Sequence, residues 1–406
     1  MTTTSIIRQG LICFIIASLC SCGGKKETGG DTGGPTTPEK NEASSEINKM
    51  IVYIDASASI KGYFSNGSDG KFGNAITNLA QYNGLNSPVY FWGDSKQIST
   101  TIDASGGTNA SLRRRSGFGQ DSYFNIIFAG MVDLVVNDSV EAACLVTDGI
   151  YGAGNKLVKK DPQHVAKTLS DFKGAITNVF LNKGIAVGVF KLSAKFSSTS
   201  KNDAYITYQN SNEYPITIEN RPFYVIIIGK ADKINGFAKN NNLGADLSLI
   251  LGAHDIDLHN SHKLSDTRHF DKNNVWKGDK NNSETNLCLN IPSCIGNDNF
   301  IKNNISVTLN GKEINNFTIS KSRLTITEEI ERNASVRPKK ESVFQVVIKN
   351  SIPTEWTSLY NEDDKNIKND QSIQGQTFGL KYLLEGLLEG TCSDNLIDIS
   401  FKFKKK

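Results

Sequence analysis

Short apolar segments with β propensity alternate with helical segments over the first half of this chain, and this alternation restricts its possible folds. Residues 224–228 read Tyr-Val-Ile-Ile-Ile, a continuous apolar run typical of a strand covered on both faces. Such alternation builds a sheet with helices on both sides. We therefore predict an α/β fold with a doubly wound, mostly parallel sheet. The predicted strands are 50–55, 89–92, 142–147, 185–192 and 223–228, and the predicted helices are 74–81, 123–136, 162–181 and 230–239.

The periodicity changes beyond residue 240. An alternating run at 305–312 contains Asn310-Gly311, the strongest short hairpin signal. Residues 343–349 and 396–401 also read as strands, with a short amphipathic helix at 378–388. We predict a first domain over 46–240, with a hairpin excursion near 193–221, and a smaller β-rich domain over 241–406.

The first 45 residues resemble the targeting segment and tether of a bacterial lipoprotein. Arg8 precedes an apolar run at 11–19, which is too short to span a membrane as a helix. Small residues then lead to Cys22, the expected lipidation site, so 1–21 is the expected signal peptide. Residues 22–45 are rich in Gly, Thr, Pro, Lys and Glu and predict a flexible tether. Position 23 is Gly and not the Asp that resembles an inner-membrane retention signal, which favours an outer-membrane location.

The charge and cysteine content narrow the function classes. A net charge of +3 argues against a nucleic-acid-binding surface. Cys144 falls within a predicted strand and is expected to be a small core residue. Cys288 and Cys294 are spaced to allow a short disulfide loop, and the pairing of these two with Cys392 stays open.

The first predicted strand ends in the sequence Asp55-Ala56-Ser57-Ala58-Ser59. A carboxylate and two hydroxyls on one short loop are hard oxygen ligands, which suit Mg²⁺, Ca²⁺ or Mn²⁺ better than zinc or copper. This strand and loop resemble the first metal-binding loop of the von Willebrand factor type A domain, whose metal-ion-dependent adhesion site binds partners through a divalent cation. The resemblance covers residues 49–239, about half of the chain.

The resemblance implies two further ligands. Asp148, in Thr147-Asp148-Gly149 at the end of another buried strand, matches the later acidic position of the family. The third element is a hydroxyl residue that opens the helix before that strand. Ser122 is preferred because a predicted helix follows it at once. Thr108 is the alternative, because the sequence around it looks more like the usual motif of the family. The ligand set is then Asp55, Ser57, Ser59, Ser122 and Asp148, with Mg²⁺ the first choice of ion.

We expect a binding protein of the cell envelope rather than an enzyme. The cation would accept an acidic side chain from a protein partner, in adhesion or assembly, with the lipid as the membrane contact. A phosphatase of the Asp-x-Asp class needs a carboxylate where Ser57 stands, and no Ser-His-Asp order or phosphate-binding loop occurs.

Two alternatives stay open. One is a metalloenzyme or hydrolase that uses the histidine-rich segment from His254 to His269, which also contains Asp255, Asp257, His259 and His262. The other is a structural assembly component in which the metal site is vestigial.

Overall fold

The structure is a computed structural model, and the chain divides into two units at Ser44 and Ser45. All described residues belong to the second unit. They are 45–65, 67–93, 96–98, 122–151, 162–198, 205–206, 213–240, 243–252, 275–277, 285–290, 298–315, 317–320, 323–328, 342–349, 351–392 and 395–404.

A seven-stranded mixed sheet lies at the centre of the described residues. Its strands are β1 (Met50–Asp55), β2 (Val89–Gly93), β3 (Lys96–Ile98), β4 (Ala142–Thr147), β5 (Ala186–Ser197), β8 (Thr217–Gly229) and β9 (Leu247–Leu251). They lie in the order β3-β2-β1-β4-β8-β5-β9. A small antiparallel pair, β6 (Tyr205–Ile206) and β7 (Glu213–Tyr214), falls between β5 and β8 in sequence.

The sheet is more mixed than the sequence pattern predicts. β1 pairs in parallel with β2 and with β4, whereas β8 is antiparallel to both β4 and β5. The reason is the connection between β5 and β8, because a hairpin reverses the chain whereas a helical crossover does not. The two ends of the predicted excursion, 193–197 and 217–221, continue two central strands, which pair from Ala186↔Gly229 to Ser197↔Thr217, and the antiparallel pair β6–β7 lies between them in the sequence.

Helices cover both faces of this sheet, as the alternating pattern predicts. On one face lie α1 (Lys71–Ala80) and α4 (Ala231–Asn240), which contribute buried residues such as Phe72 and Phe237 to the core. On the other face lie α2 (Phe124–Val136) and α3 (Pro162–Phe180). Cys144 is completely buried in β4, in agreement with its predicted role as a core residue.

Besides a two-stranded pair given below, the described residues after 251 form two further sheets. One has the order β10-β19-β16-β12-β13 and the other β11-β15-β14. Their strands are β10 (Val275–Lys277), β11 (Thr285–Asn290), β12 (Ile305–Leu309), β13 (Lys312–Glu313), β14 (Phe317–Ser320), β15 (Arg323–Glu328), β16 (Ser342–Lys349) and β19 (Asn395–Lys404). The β12–β13 turn has Asn310 and Gly311 at φ 52° and 78°, as an Asn-Gly hairpin requires.

A separate C-terminal domain is not confirmed, because residues 354–391 pack against the α/β core. Trp356 and the leucines of the last helix share one hydrophobic cluster with α2 and α3. The remaining elements are α5 (Asp298–Asn304), α6 (Thr354–Thr357), β17 (Tyr360–Asn361), α7 (Gln371–Gln374), β18 (Thr377–Phe378) and α8 (Leu380–Thr391). None of the helices in the described ranges is long and apolar enough to cross a bilayer.

Two glycines allow α8 to approach α3 closely. A Cβ at Gly390 would lie 2.8 Å from the carbonyl oxygen of Thr177 and 2.8 Å from Cβ of Phe180. A Cβ at Gly386 would lie 2.9 Å from the carbonyl oxygen of Lys173. Backbone atoms cannot rotate away as a flexible side chain can, so any larger residue must push the two helices apart.

We expect Gly390→Ala to lower the free energy of unfolding by about 1–3 kcal/mol through this steric conflict. The matched control is Gly174→Ala in α3, where an added Cβ meets nothing within 4 Å. The control should stabilise the protein by about 0.5–1 kcal/mol, since alanine favours a helix over glycine. Urea denaturation of both variants measures the difference. Equal stabilities would show that α8 is not packed on α3.

Candidate metal centre

The ends of β1 and β4 bring the predicted ligands to one edge of the sheet. The two strands pair in parallel register from Met50↔Ala142 to Ile54↔Val146, so both end at the same level. The chain leaves β1 towards β2 on one side, whereas β4 continues the sheet on the other side. This is a topological switch point, where open α/β sheets bind ligands.

The Asp55 carboxylate is the centre of the cluster and is completely buried. The Ser122 hydroxyl lies 2.9 Å from Oδ1 and 2.8 Å from Oδ2, so its single proton is shared between both oxygens. The Thr147 hydroxyl donates to Oδ2 at 2.8 Å, and the backbone N–H of Ser57 donates to Oδ1 at 2.9 Å. Three donors from three segments therefore hold one carboxylate in place.

The two serines of the first loop face each other. Their hydroxyl oxygens lie 3.0 Å apart, with Ser57 buried and Ser59 half-buried. The loop starts as an extension of the sheet, because the N–H of Ala56 donates to the carbonyl of Trp92 at 2.8 Å. A short 3-10 helix (Ala58–Tyr63) follows directly and fixes the direction in which the chain leaves the site.

Asp148 supplies the second buried carboxylate. Its Oδ1 accepts a hydrogen bond from the N–H of Ile150 at 3.0 Å. Its Oδ2 is buried and has no hydrogen-bond partner in the part of the chain that the structure describes. A buried carboxylate oxygen without a partner costs free energy, because it has lost the hydrogen bonds of water. The site therefore favours a positively charged or hydrogen-bond-donating group at this oxygen.

The conformation of Gly149 explains the sharp turn beside Asp148. Its φ is +75°, and a Cβ there would meet the Tyr224 ring at 2.9 Å. The Tyr224 hydroxyl is hydrogen-bonded to the Thr377 hydroxyl at 2.9 Å, so β18 also lies against this turn. Glycine is thus required for both backbone conformation and space.

Burial disfavours the ionisation of both carboxylates. Burial and the nearby Asp148 charge raise the pKa of Asp55 to about 7, despite the hydrogen bonds from Thr147, Ser122 and Ser57. Burial also raises the pKa of Asp148, against the opposing effects of the Ser59 hydroxyl and the Arg221 charge. Close, desolvated carboxylates behave in this way when no cation neutralises them.

The spacing of the oxygens fits a small divalent cation. Adjacent ligands of an octahedral Mg²⁺ ion, at 2.0–2.1 Å from the metal, lie about 2.9 Å from each other. The Ser57–Ser59 separation of 3.0 Å and the Ser122–Asp55 separations of 2.8 and 2.9 Å are of this size. Hydrogen-bond lengths fall in the same range, so these separations suit both a hydrogen-bonded cluster and a metal site.

The structure thus brings together the five residues singled out in the sequence, Asp55, Ser57, Ser59, Ser122 and Asp148. Two participants were missed. The Thr-Asp-Gly motif does not mark Thr147 as a partner of Asp55, although its place at the end of the neighbouring strand is a usable signal. Arg221 acts on Asp148 from β8, which lies beside β4 in the sheet but far from it in the sequence, so no local pattern marks it.

Several other predicted features lie outside the described residues, namely Cys22, Thr108, Cys294 and the His254–His269 segment. Within the described ranges no group of three or more His, Cys, Asp or Glu side chains forms a metal cluster. The candidate centre falls outside that definition, since it combines two carboxylates with hydroxyls. The sulfur of Cys392 accepts a hydrogen bond from the N–H of Gly252 at 3.0 Å.

We expect the stability of the metal-free protein to fall as pH rises. The folded-state pKa of Asp55, about 7, lies above its usual value of 3.8, so the folded protein binds the extra proton between these values. Stability is then lost as pH rises through this window. Urea denaturation in EDTA should give a larger free energy of unfolding at pH 5 than at pH 8, and Asp55→Asn should flatten this slope.

Asp246→Asn is the control for this measurement. Partial burial opposes ionisation of Asp246, but hydrogen bonds from Lys191 and Ser193 hold its pKa below the usual value. Asp246 therefore stays ionised from pH 5 to pH 8, and its replacement should leave the slope unchanged. An Asp55→Asn protein with the full wild-type slope would contradict the assignment to Asp55.

Comparison with known proteins finds no family model, no curated protein and no solved structure that matches this chain.

Proposed function

We propose that this chain is a cell-envelope lipoprotein that binds a protein partner through a divalent cation held by Asp55, Ser57, Ser59, Ser122 and Asp148. The observation that carries the proposal is the pair of buried carboxylates, one of which has an oxygen without a hydrogen-bond partner in the described part of the chain. A bound cation would satisfy that oxygen and remove the repulsion between the two charges. Mg²⁺ is the first choice, with Ca²⁺ and Mn²⁺ as alternatives.

The donor set also supports binding of an acidic partner. Hydroxyl ligands are neutral, so the five residues carry only two negative charges, which balance the cation without exceeding its charge. Five ligands also leave one position of an octahedral ion open for a further carboxylate. A side chain of Asp or Glu on a partner would complete the coordination. Four of the five ligand residues are buried, whereas Ser59 is half-buried, so the partner side chain is expected to approach beside Ser59.

The lipid anchor at Cys22 would place this site outside the cytoplasm, most simply at the outer membrane. Both the anchor and the flexible tether at 22–45 are predictions from the sequence pattern. An anchored protein with a flexible tether presents its folded part at a distance from the bilayer, which suits adhesion or assembly.

A second candidate function is structural assembly without a metal. The observation in its favour is that Arg221 is buried and that its charge lowers the pKa of Asp148. In this version a protonated Asp55 and the arginine charge satisfy the cluster, and the partner binds elsewhere. The metalloenzyme alternative rests on the His254–His269 segment and uses none of these contacts.

The first proposal predicts a specific response to cations. After EDTA treatment and dialysis, Mg²⁺ or Mn²⁺ at millimolar concentration should raise the melting temperature by several degrees, because an ion that binds only the folded state stabilises it. Asp55→Asn and Asp148→Asn should abolish the shift. Binding to an envelope partner captured by the wild-type protein should be lost in EDTA and in Asp55→Asn.

Asp246→Asn, which removes an exposed carboxylate, should keep the full response to cations. Partner binding that persists in EDTA and in Asp55→Asn would exclude the cation-dependent mechanism and favour the structural candidate. Bound zinc that is lost in His259→Ala would favour the metalloenzyme.

A further inference from the structure

Arg221 is a completely enclosed cationic side chain close to the candidate metal centre. It lies in β8 opposite Ala194 of β5, and only 1 % of its surface is exposed. Arginine is almost never buried in this way without partners for its charge. The position of its guanidinium group therefore needs an explanation.

The strand register places Arg221 beside the turn that carries Asp148. β8 runs antiparallel to β4, and Thr147 pairs with Tyr224. Arg221 lies three residues before Tyr224 in β8. It is therefore beyond the end of β4, at the level of the turn after Thr147. Because β8 is antiparallel, its beginning, and not its end, lies at the edge where the ligands converge.

Aromatic contacts hold Arg221 near the first ligand loop as well. Its Cζ lies 5.6 Å from the ring centre of Phe196, which in turn packs edge-on against Tyr63 at 5.2 Å. The Tyr63 hydroxyl donates a hydrogen bond to the carbonyl of Pro222, the next residue after Arg221. Tyr63 ends the 3-10 helix that follows Ser57. The arginine is thus enclosed between both ligand loops.

We propose that Arg221 is a resident counter-ion for the Asp55–Asp148 pair, which keeps the cluster folded without a metal and weakens its affinity for divalent cations. The second half of this statement rests on the function proposed above. The first half does not, since two buried carboxylates need positive charge whether or not an ion binds.

Simple electrostatics gives the direction of both effects. A fixed positive charge near two carboxylates lowers the cost of ionising them in a buried site. The same charge repels an incoming divalent cation. At a separation of several ångströms, with partial dielectric screening, this repulsion changes the affinity about tenfold. The site would then bind its ion reversibly rather than as a permanent structural metal.

The experiment compares Arg221→Met with Arg221→Lys in the full-length protein. Methionine removes the charge and keeps much of the apolar volume, whereas lysine keeps the charge. Manganese binding is measured by calorimetry and by the loss of the electron paramagnetic resonance signal of free Mn²⁺. Arg221→Met should bind Mn²⁺ about tenfold more tightly than wild type, and Arg221→Lys should stay within about threefold of wild type.

Lys230→Met is the matched control, since it removes one lysine charge directly after the opposite end of the same strand. Its Mn²⁺ affinity should equal that of wild type. An Arg221→Met protein that is folded but binds Mn²⁺ no more tightly than wild type would overturn the role in cation affinity. If wild type and all variants fail to bind Mn²⁺, the proposed function fails together with this half of the inference.

A double-mutant cycle tests the counter-ion role without any metal. In EDTA, Arg221→Met should lower the melting temperature of the wild-type protein more than that of Asp148→Asn, because the second protein has lost one of the charges to be balanced. Equal losses in both backgrounds would overturn the counter-ion role. If Arg221→Met alone does not fold, its recovery by Mn²⁺ or by Asp148→Asn supports the proposal, and recovery by neither contradicts it.

Discussion

Two carboxylates buried at the ends of adjacent parallel strands are the constraint on which the site depends. Asp55 and Asp148 reach one edge of the sheet because β1 and β4 are in register. Burial raises the pKa of both carboxylates, and the nearby Asp148 charge raises that of Asp55 further. The donors from Ser122, Thr147 and the Ser57 backbone reduce this cost but do not remove it. A cation, a proton or the Arg221 charge must supply the rest.

Much of this arrangement could be predicted from sequence because it depends on local patterns. A strand that ends in Asp-x-Ser-x-Ser and another that ends in Thr-Asp-Gly mark the two loops, and strand-end geometry predicts that they meet. Ser122 followed from the same reasoning, since a rigid helix begins directly after it. The prediction of a metal at these residues is a separate chemical statement, which the metal titrations address.

Local sequence patterns do not predict the features of the fold that depend on contacts between residues far apart in the chain. The antiparallel position of β8 follows from its hairpin connection to β5, and apolar composition alone does not distinguish a parallel from an antiparallel central strand. Arg221 has no motif, because its importance comes from the strand beside which it lies. The packing partner of the C-terminal region is likewise not predictable from a local pattern. The leucines of α8 show that one helix face is apolar, but not that the partner is α3, some 200 positions earlier in the chain.

The packing of α8 on α3 also bears on when this protein can fold. The cluster on that face of the sheet contains residues from β1 through α8, so it is completed only after residue 391 has been synthesised. A chain with such long-range contacts folds late and slowly compared with one whose contacts are local. Late folding suits a protein that must cross a membrane as an extended chain before its core closes. In the exported lipoprotein proposed above, this cluster would then close only after the residues of α8 have crossed the membrane.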